Sequence, residues 1–239
     1  MLDIQNEAGN ERRKNMIKTG KEGFIEESRK TLEEIYDMLH SLKNVSLLKL
    51  QKEKTALVMV DLINGFTREG ALKSSRVEEI LPSVAKLQKA CLLNGFPILA
   101  FADSHSTVSP EFESYPPHCL AGTSEEEIAE ELQQVGGYQL IRKNSTNGFL
   151  EEEFRHWLKE HEKITNFLIV GDCTDICIQQ FAVTLKTWFN KENRKSRIVV
   201  PMDLVETYDL GVHNGNLVHV MALYNMIING VEVVQSIEI

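Results

Sequence analysis

Side chains that could carry out nucleophilic, acid–base or metal chemistry occur at the ends of four apolar runs in the sequence. These residues are Asp61, the pair Asp103 and His105, Lys143, and Cys177. A cysteine can attack an acyl carbon while a carboxylate moves the proton that the attack and the leaving group require. Cys177 begins a predicted helix, whose first N–H groups favour a thiolate, and a nearby Lys143 would lower the pKa of the thiol further.

Each of these residues also has a structural explanation when it is taken alone. Cys177 could be a buried packing residue, Lys143 a charge at a strand end, and Asp61 a turn or cap residue. Asp103-Ser104-His105 could be a capped turn, because this spacing is common by chance. The arrival of all these residue types at one place is what favours a reactive site.

The predicted strands and helices explain why these residues should lie close together. Six apolar, β-branched runs predict strands: Ala56–Val60, Pro97–Ala102, Tyr138–Ile141, Phe167–Val170, Ile198–Val200 and Val231–Val234. Helical patterns lie between them at Val77–Asn94, Leu150–His161, Cys177–Asn190 and Asn214–Ile228. Alternation with short linkers predicts an α/β fold, a three-layer α/β/α Rossmann-like arrangement around a mostly parallel six-stranded sheet. Ligands bind such sheets at the carboxyl ends of the strands.

The sequence before this pattern reads as an appendage. We predict an N-terminal arm over residues 1–54 and one hydrolase domain over residues 55–239. Residues before about Gly20 are polar and predict disorder, whereas an apolar stripe from Phe24 to Leu42 predicts a helix.

The amino-acid composition argues against nucleic acids and membranes as partners. The 239 residues carry 26 basic and 35 acidic side chains, a net charge of −9, which argues against a nucleic-acid surface. No apolar run is long enough for a bilayer, and the first residues do not form a signal peptide, so a cytoplasmic protein without membrane partners is expected. Four cysteines are too few for a disulfide scaffold.

Three segments resemble the signatures of the isochorismatase-like cysteine hydrolases, in order and in spacing. They are Val60-Asp61-Leu62-Ile63-Asn64-Gly65-Phe66, Arg142-Lys143 and Gly171-Asp172-Cys173-Thr174-Asp175-Ile176-Cys177-Ile178. The resemblance implies a catalytic triad of Asp61, Lys143 and Cys177. It also implies a non-proline cis peptide before Cys173, and an oxyanion hole formed by the backbone N–H groups of Cys173 and Cys177.

Two further segments resemble the nicotinamidase branch of that family: Asp103-Ser104-His105 and Pro116-Pro117-His118-Cys119. The resemblance implies one divalent metal ion on Asp103, His105 and His118, with zinc expected first and iron or manganese as alternatives. Glu111 resembles an additional ligand, often bridged by water, and Glu113 is the competing choice.

Phe66 and Tyr115 fall where the family has rings that flank the substrate. The resemblance therefore implies a nicotinamidase, which hydrolyses nicotinamide to nicotinate and ammonia in NAD salvage through a thioester on cysteine. It also implies a homo-oligomer. Two alternatives remain, an amidohydrolase for another carboxamide or an N-carbamoyl compound, and a non-catalytic ligand-binding member of the fold.

Overall fold

The computed structural model describes residues 19–239, which fall into two compact units divided after Ser41. The first unit contains helix α1 (Lys21–His40), which confirms the predicted apolar helix. Ile35 and Leu39 on it are buried, whereas Phe24 and Tyr36 are exposed. The disorder predicted before Gly20 concerns residues that lie almost entirely outside the described range.

The second unit contains the predicted parallel sheet. Its strands, in chain order, are β1 (Val45–Ser46), β2 (Thr55–Val60), β3 (Ile98–Asp103), β4 (Gln139–Lys143), β5 (Asn166–Asp172), β6 (Arg197–Pro201), β7 (Val205–Glu206), β8 (Glu232–Val234) and β9 (Ile237–Glu238). Six of them form one parallel sheet in the order β4-β3-β2-β5-β6-β8, which confirms the predicted α/β architecture. The short β7 adds a seventh strand by pairing with the end of β5.

Helices connect these strands. They are α2 (Asn64–Thr67), α3 (Ser75–Leu93), α4 (Glu130–Val135), α5 (Glu152–Glu160), α6 (Gln179–Lys191) and α7 (Gly215–Ile228). A π-helical turn at Thr174–Ile178 leads directly into α6. The sequence did not predict α4, a helix of six residues that is too short for a periodic pattern. Among the described residues, no helix combines the length and apolar character that crossing a bilayer requires.

The two faces of the sheet are buried in different ways, because alternate residues of a strand point to opposite sides. Leu57 and Met59 of β2 belong to a largely aliphatic core with residues of α3. On the other face, aromatic rings pack at centroid distances near 5 Å, as in the pairs Phe101–Phe181 and Phe154–Phe181. Every residue of β2 and β3 is buried, as their unbroken hydrophobicity predicts.

Residues 42–54, which the sequence analysis assigned to the arm, lie within the second compact unit. Val45 and Ser46 pair in parallel with Ile237 and Glu238, so this segment forms a small sheet with the end of the chain. The predicted boundary at residue 54 stays a prediction about where the hydrolase domain begins.

The strand order places the reactive segments side by side. Connections run from β2 towards β3 in one direction along the sheet and from β4 across to β5 in the other, so β2 and β5 flank the point where the order reverses. Gly171 permits β5 to approach β2 closely there, because its φ is +124° and a Cβ would lie 2.0 Å from the Val60 carbonyl oxygen.

Candidate active site

Adjacent strand ends bring the three predicted triad residues together. Asp103 and Lys143 are register partners at the ends of β3 and β4, and Asp61 follows directly after β2. Cys177 comes from the π-helical turn after β5. All four side chains are buried, with relative exposures of 4% or less.

Lys143 is the hub of this cluster. Its Nζ donates to Asp103 Oδ1 at 2.5 Å and to the Ser145 carbonyl oxygen at 3.1 Å. It also lies 2.8 Å from Asp61 Oδ2 and 3.7 Å from Cys177 Sγ. One ammonium group therefore holds two carboxylates and the thiol in fixed positions.

Asp61 has a left-handed backbone conformation, and its two carboxylate oxygens have different partners. Its φ is +53°, a left-handed conformation that non-glycine residues seldom adopt outside functional sites. Asp61 Oδ1 accepts the Asp103 backbone N–H at 3.0 Å, whereas the buried Oδ2, although ion-paired with Lys143, has no hydrogen bond of good geometry among the described residues. Oxygen atoms of Asp61 and Asp103 and the sulfur of Cys177 all lie within 4.8 Å of one another. A carboxylate oxygen of Asp61 therefore lies beside the thiol.

Burial and neighbouring charges shift the pKa values of Asp61, Asp103 and Lys143 in different directions. Burial, reinforced by the Asp103 charge, raises the pKa of Asp61 to about 7 against the opposing effect of Lys143. Burial would lower the pKa of Lys143, but the two carboxylates outweigh it and hold that pKa well above its ordinary value. Burial would likewise raise the pKa of Asp103, but Lys143 and His105 reverse the shift and lower it.

Cys177 differs here from the prediction made from its helical position. Burial raises the pKa of the thiol well above its ordinary value, Lys143 opposes this, and Asp61 and Asp103 add to the increase. The direction of this shift is opposite to the stabilised thiolate that the helical position and Lys143 predict, and it favours a neutral thiol. Burial, together with two carboxylates, outweighs one ammonium group, and the sequence alone could not reveal that balance.

The turn that carries Cys177 begins with the implied cis peptide, between Asp172 and Cys173. Cys173 is buried, and its sulfur lies 3.0 Å from Asp172 Oδ2. Cys173 and Cys177 both lie in the first turn of a helix that continues to residue 191, where N–H groups are not used by the helix itself. Their role as an oxyanion hole stays a prediction.

Beside the triad, four of the predicted ligands form a group suited to a metal ion. One donor atom from each of Asp103, His105, Glu111 and His118 lies within 4.8 Å of the others. His105 Nε2 is buried without a hydrogen-bond partner in the described part of the chain. Two imidazole nitrogens and two carboxylate oxygens fit a divalent cation such as zinc, iron or manganese.

Outer contacts fix the two imidazoles for this purpose. His105 Nδ1 lies 3.1 Å from Asn144 Oδ1, and His118 Nδ1 donates to the Pro116 carbonyl oxygen at 2.8 Å. These contacts leave Nε2 of each ring free to coordinate. Phe112, which the sequence analysis did not identify, lies edge-on to both rings, with centroids 5.6 and 5.7 Å away.

Glu111 and Glu113 differ in burial and in whether they belong to the ligand group. Glu111 is half-buried and belongs to the ligand group, whereas Glu113 is exposed and lies outside it. Asp103 belongs both to this group and to the Lys143 ion pair, so one carboxylate joins the two parts of the site.

A narrow cavity that opens to solvent lies between the thiol and the ligand group. The predicted Phe66 and Tyr115 line it, together with residues that the sequence analysis missed: Leu72, Thr146, Ile176 and Tyr208. These residues come from loops and turns, where no periodic pattern marks them.

The other cysteines and histidines fall outside the reactive cluster. Cys91 and Cys119 are buried, and burial raises the pKa of Cys91 to about 12. Of the histidines outside the ligand group, His40 and His156 are exposed and His161 stacks on Trp157. His213 and His219 instead lie in a polar network around the turn that carries Cys177: they contact Asp175 and Thr174, respectively.

Comparison with known proteins gives relatives along most of the chain. Nicotinamidase 1 of Arabidopsis thaliana is 32% identical over 171 residues, which are 65% of this chain and 67% of that protein. A nicotinamidase of Acinetobacter baylyi is 27% identical over 217 residues, 78% of this chain and 94% of that protein. The crystal structure of a nicotinamidase/pyrazinamidase from Bacillus subtilis matches with a TM-score of 0.64 at 26% identity, covering 76% of this chain and 99% of that one.

The isochorismatase domain model matches residues 55–231, the stretch that contains every predicted triad and metal residue. The sequence relatives over this region are nicotinamidases. The chain belongs to the isochorismatase family of hydrolases, on its nicotinamidase branch.

Proposed function

We propose that this protein is a nicotinamidase that hydrolyses nicotinamide to nicotinate and ammonia, as part of NAD salvage. The observation that carries the proposal is Asp103, whose carboxylate belongs to both the Lys143 ion pair and the metal-ligand group. A substrate ring held at the ligand group would thus have its carboxamide beside Cys177. The nicotinamidases among the relatives support the same substrate.

The first half of the reaction begins with a neutral thiol. Asp61 Oδ2 takes the proton of Cys177 as the sulfur attacks the carboxamide carbon, and a C–S bond forms. The oxyanion is stabilised by the backbone N–H groups of Cys173 and Cys177. Asp61 then passes its proton to the nitrogen, the C–N bond breaks, and ammonia leaves a thioester on Cys177.

The second half returns the enzyme to its starting state. Asp61, now ionised, takes a proton from a water molecule that attacks the thioester carbon. The C–S bond breaks, nicotinic acid leaves and loses its carboxyl proton to solvent to become nicotinate, and the proton on Asp61 returns to the Cys177 sulfur. Lys143 remains charged throughout and keeps Asp61 and Cys177 in register.

Asp103, His105, His118 and Glu111 would hold a divalent metal ion, which would supply a Lewis acid for the pyridine nitrogen and help to orient the carboxamide. Phe66 and Tyr115 then enclose the flat ring by stacking against it.

The direct test is ammonia release from nicotinamide, measured with the enzyme as purified, after chelation, and after each divalent metal is restored. We expect turnover that chelation abolishes and metal restores. A panel with an aliphatic carboxamide and an N-carbamoyl amino acid serves as the comparison. Turnover of those compounds with none of nicotinamide would contradict the proposal.

A further inference from the structure

A short loop between β7 and α7, residues 207–214, brings Tyr208 to the substrate cavity. The loop closes on itself through a pair of backbone hydrogen bonds between Leu210 and His213, at 2.9 and 3.1 Å. Gly211 has a φ of +59° at its tip, which permits the tight reversal. The sequence patterns attributed no function to this loop.

Asp175 ties both ends of the loop to the turn that carries the nucleophile. Its Oδ1 accepts the Thr207 hydroxyl at 2.7 Å, and its Oδ2 accepts His213 Nε2 at 2.8 Å. Asp175 lies two residues before Cys177 in the π-helical turn. The two bonds therefore bracket Tyr208 and fix it relative to Cys177.

The Tyr208 ring is also held directly. It stacks on the His213 ring with a centroid distance of 4.0 Å and an interplanar angle of 8°. His213 Nδ1 lies 2.9 Å from the Tyr208 carbonyl oxygen, so one residue contacts both the backbone and the side chain of Tyr208. Tyr208 then lines the cavity together with Cys173 and Cys177.

We propose that Tyr208 is a specificity-determining residue that packs against the substrate ring, and that His213 is the positioning residue that holds it. This inference rests on the proposed function. An aromatic wall that is already fixed in place binds a flat ring without a further cost in side-chain entropy. Tyr208 contributes binding rather than bond making, because the proton transfers belong to Asp61 and Cys177.

The test compares Tyr208→Ala and Tyr208→Phe with a control on the same loop, Leu210→Ala, whose side chain is exposed. For Tyr208→Ala we expect KM for nicotinamide to rise about tenfold while kcat stays within about twofold. Tyr208→Phe restores the ring and should return KM to within about threefold of wild type. Leu210→Ala should leave both constants unchanged.

His213→Ala tests the positioning role. It should raise KM by about three- to fivefold with kcat preserved, because Tyr208 remains present but loses its stacked support. Metal content and the thermal transition of each variant report that the fold is retained.

The outcomes separate this inference from the function on which it rests. If the wild-type enzyme releases no ammonia from nicotinamide, the proposed function fails and this inference fails with it. If the wild type is active and Tyr208→Ala keeps the wild-type KM, only the role of Tyr208 is overturned. A fall in kcat at unchanged KM would also overturn it, since Tyr208 would then act in the chemistry.

Discussion

The proton on Cys177 determines how the proposed reaction starts. A thiol with a raised pKa stays protonated before the reaction. Attack of the sulfur on the substrate therefore depends on a base that is ionised near neutral pH. Asp61 meets that need because its own pKa, about 7, is high enough to hold the proton and low enough to release it. Lys143 supplies fixed charge and does not exchange protons in this range.

The pH dependence of kcat/KM follows from Asp61. Its pKa is raised above the ordinary carboxyl value, so the base is protonated and inactive below a pH of about 7. We expect kcat/KM to fall about tenfold per pH unit below that point. Metal content measured at each pH is the control, because histidine ligands also bind protons there. A flat profile down to about pH 5, with metal retained, would remove Asp61 as the base.

The two neighbouring glutamates offer a matched pair for the metal site. Glu111→Gln should weaken metal affinity by about 10- to 100-fold, since it replaces a charged ligand by a neutral one. Glu113→Gln should leave affinity unchanged, because Glu113 is exposed and outside the ligand group. Metal affinity is measured by competition with a chromophoric chelator. Equal effects of the two substitutions would exclude Glu111 as a ligand.

At the scale of elements, the site depends on how closely strand ends approach. Asp61, Asp103, Lys143 and the turn with Cys177 come from four adjacent parallel strands, so each distance within the site depends on the sheet. Gly171 is a point of close approach between β5 and β2, because a Cβ at this position would overlap the backbone of Val60.

Gly171→Ala therefore tests the strand packing. We expect a loss of about 3 kcal/mol or more in the free energy of unfolding, from the positive φ and from the clash with backbone. Gly95→Ala is the matched control, since Gly95 also has a positive φ but a Cβ there would meet nothing within 4 Å. The control should lose about 1 kcal/mol in denaturant unfolding. Equal losses would show that the close approach contributes no strain.

The elements also show what the sequence could predict. Apolar runs locate the strands, and the rule for parallel sheets places Asp61, Asp103 and Lys143 at one edge, where the structure has them. The thiol's protonation could not be predicted, because it depends on burial and on three neighbouring charges. Tyr208 and His213 were missed because they belong to a loop after a strand of two residues, β7, which leaves no periodic signal.

At the scale of the whole molecule, the net charge of −9 affects how strongly the protein attracts or repels a charged substrate. An acidic protein repels anions over distances of about a Debye length and leaves neutral molecules unaffected. Nicotinamide is uncharged, whereas an N-carbamoyl amino acid is an anion. The charge of the substrate thus distinguishes nicotinamide from N-carbamoyl amino acids.

Ionic strength tests this distinction. We expect kcat/KM for nicotinamide to change by less than about twofold between about 50 and 500 mM sodium chloride, because no long-range attraction or repulsion is being screened. A sodium sulfate series at matched ionic strength controls for specific ion effects. A steep dependence of nicotinamide turnover on salt would contradict this expectation, because the substrate carries no charge to be screened.

Cys177→Ala tests the central claim most directly, through ammonia release from nicotinamide at saturating substrate. The substitution removes the sulfur and leaves Asp103, His105, Glu111 and His118 in place, so bound metal should match wild type and report a correctly folded site. The account predicts that ammonia release falls to the uncatalysed background. Appreciable turnover by Cys177→Ala, with the metal bound, would contradict it.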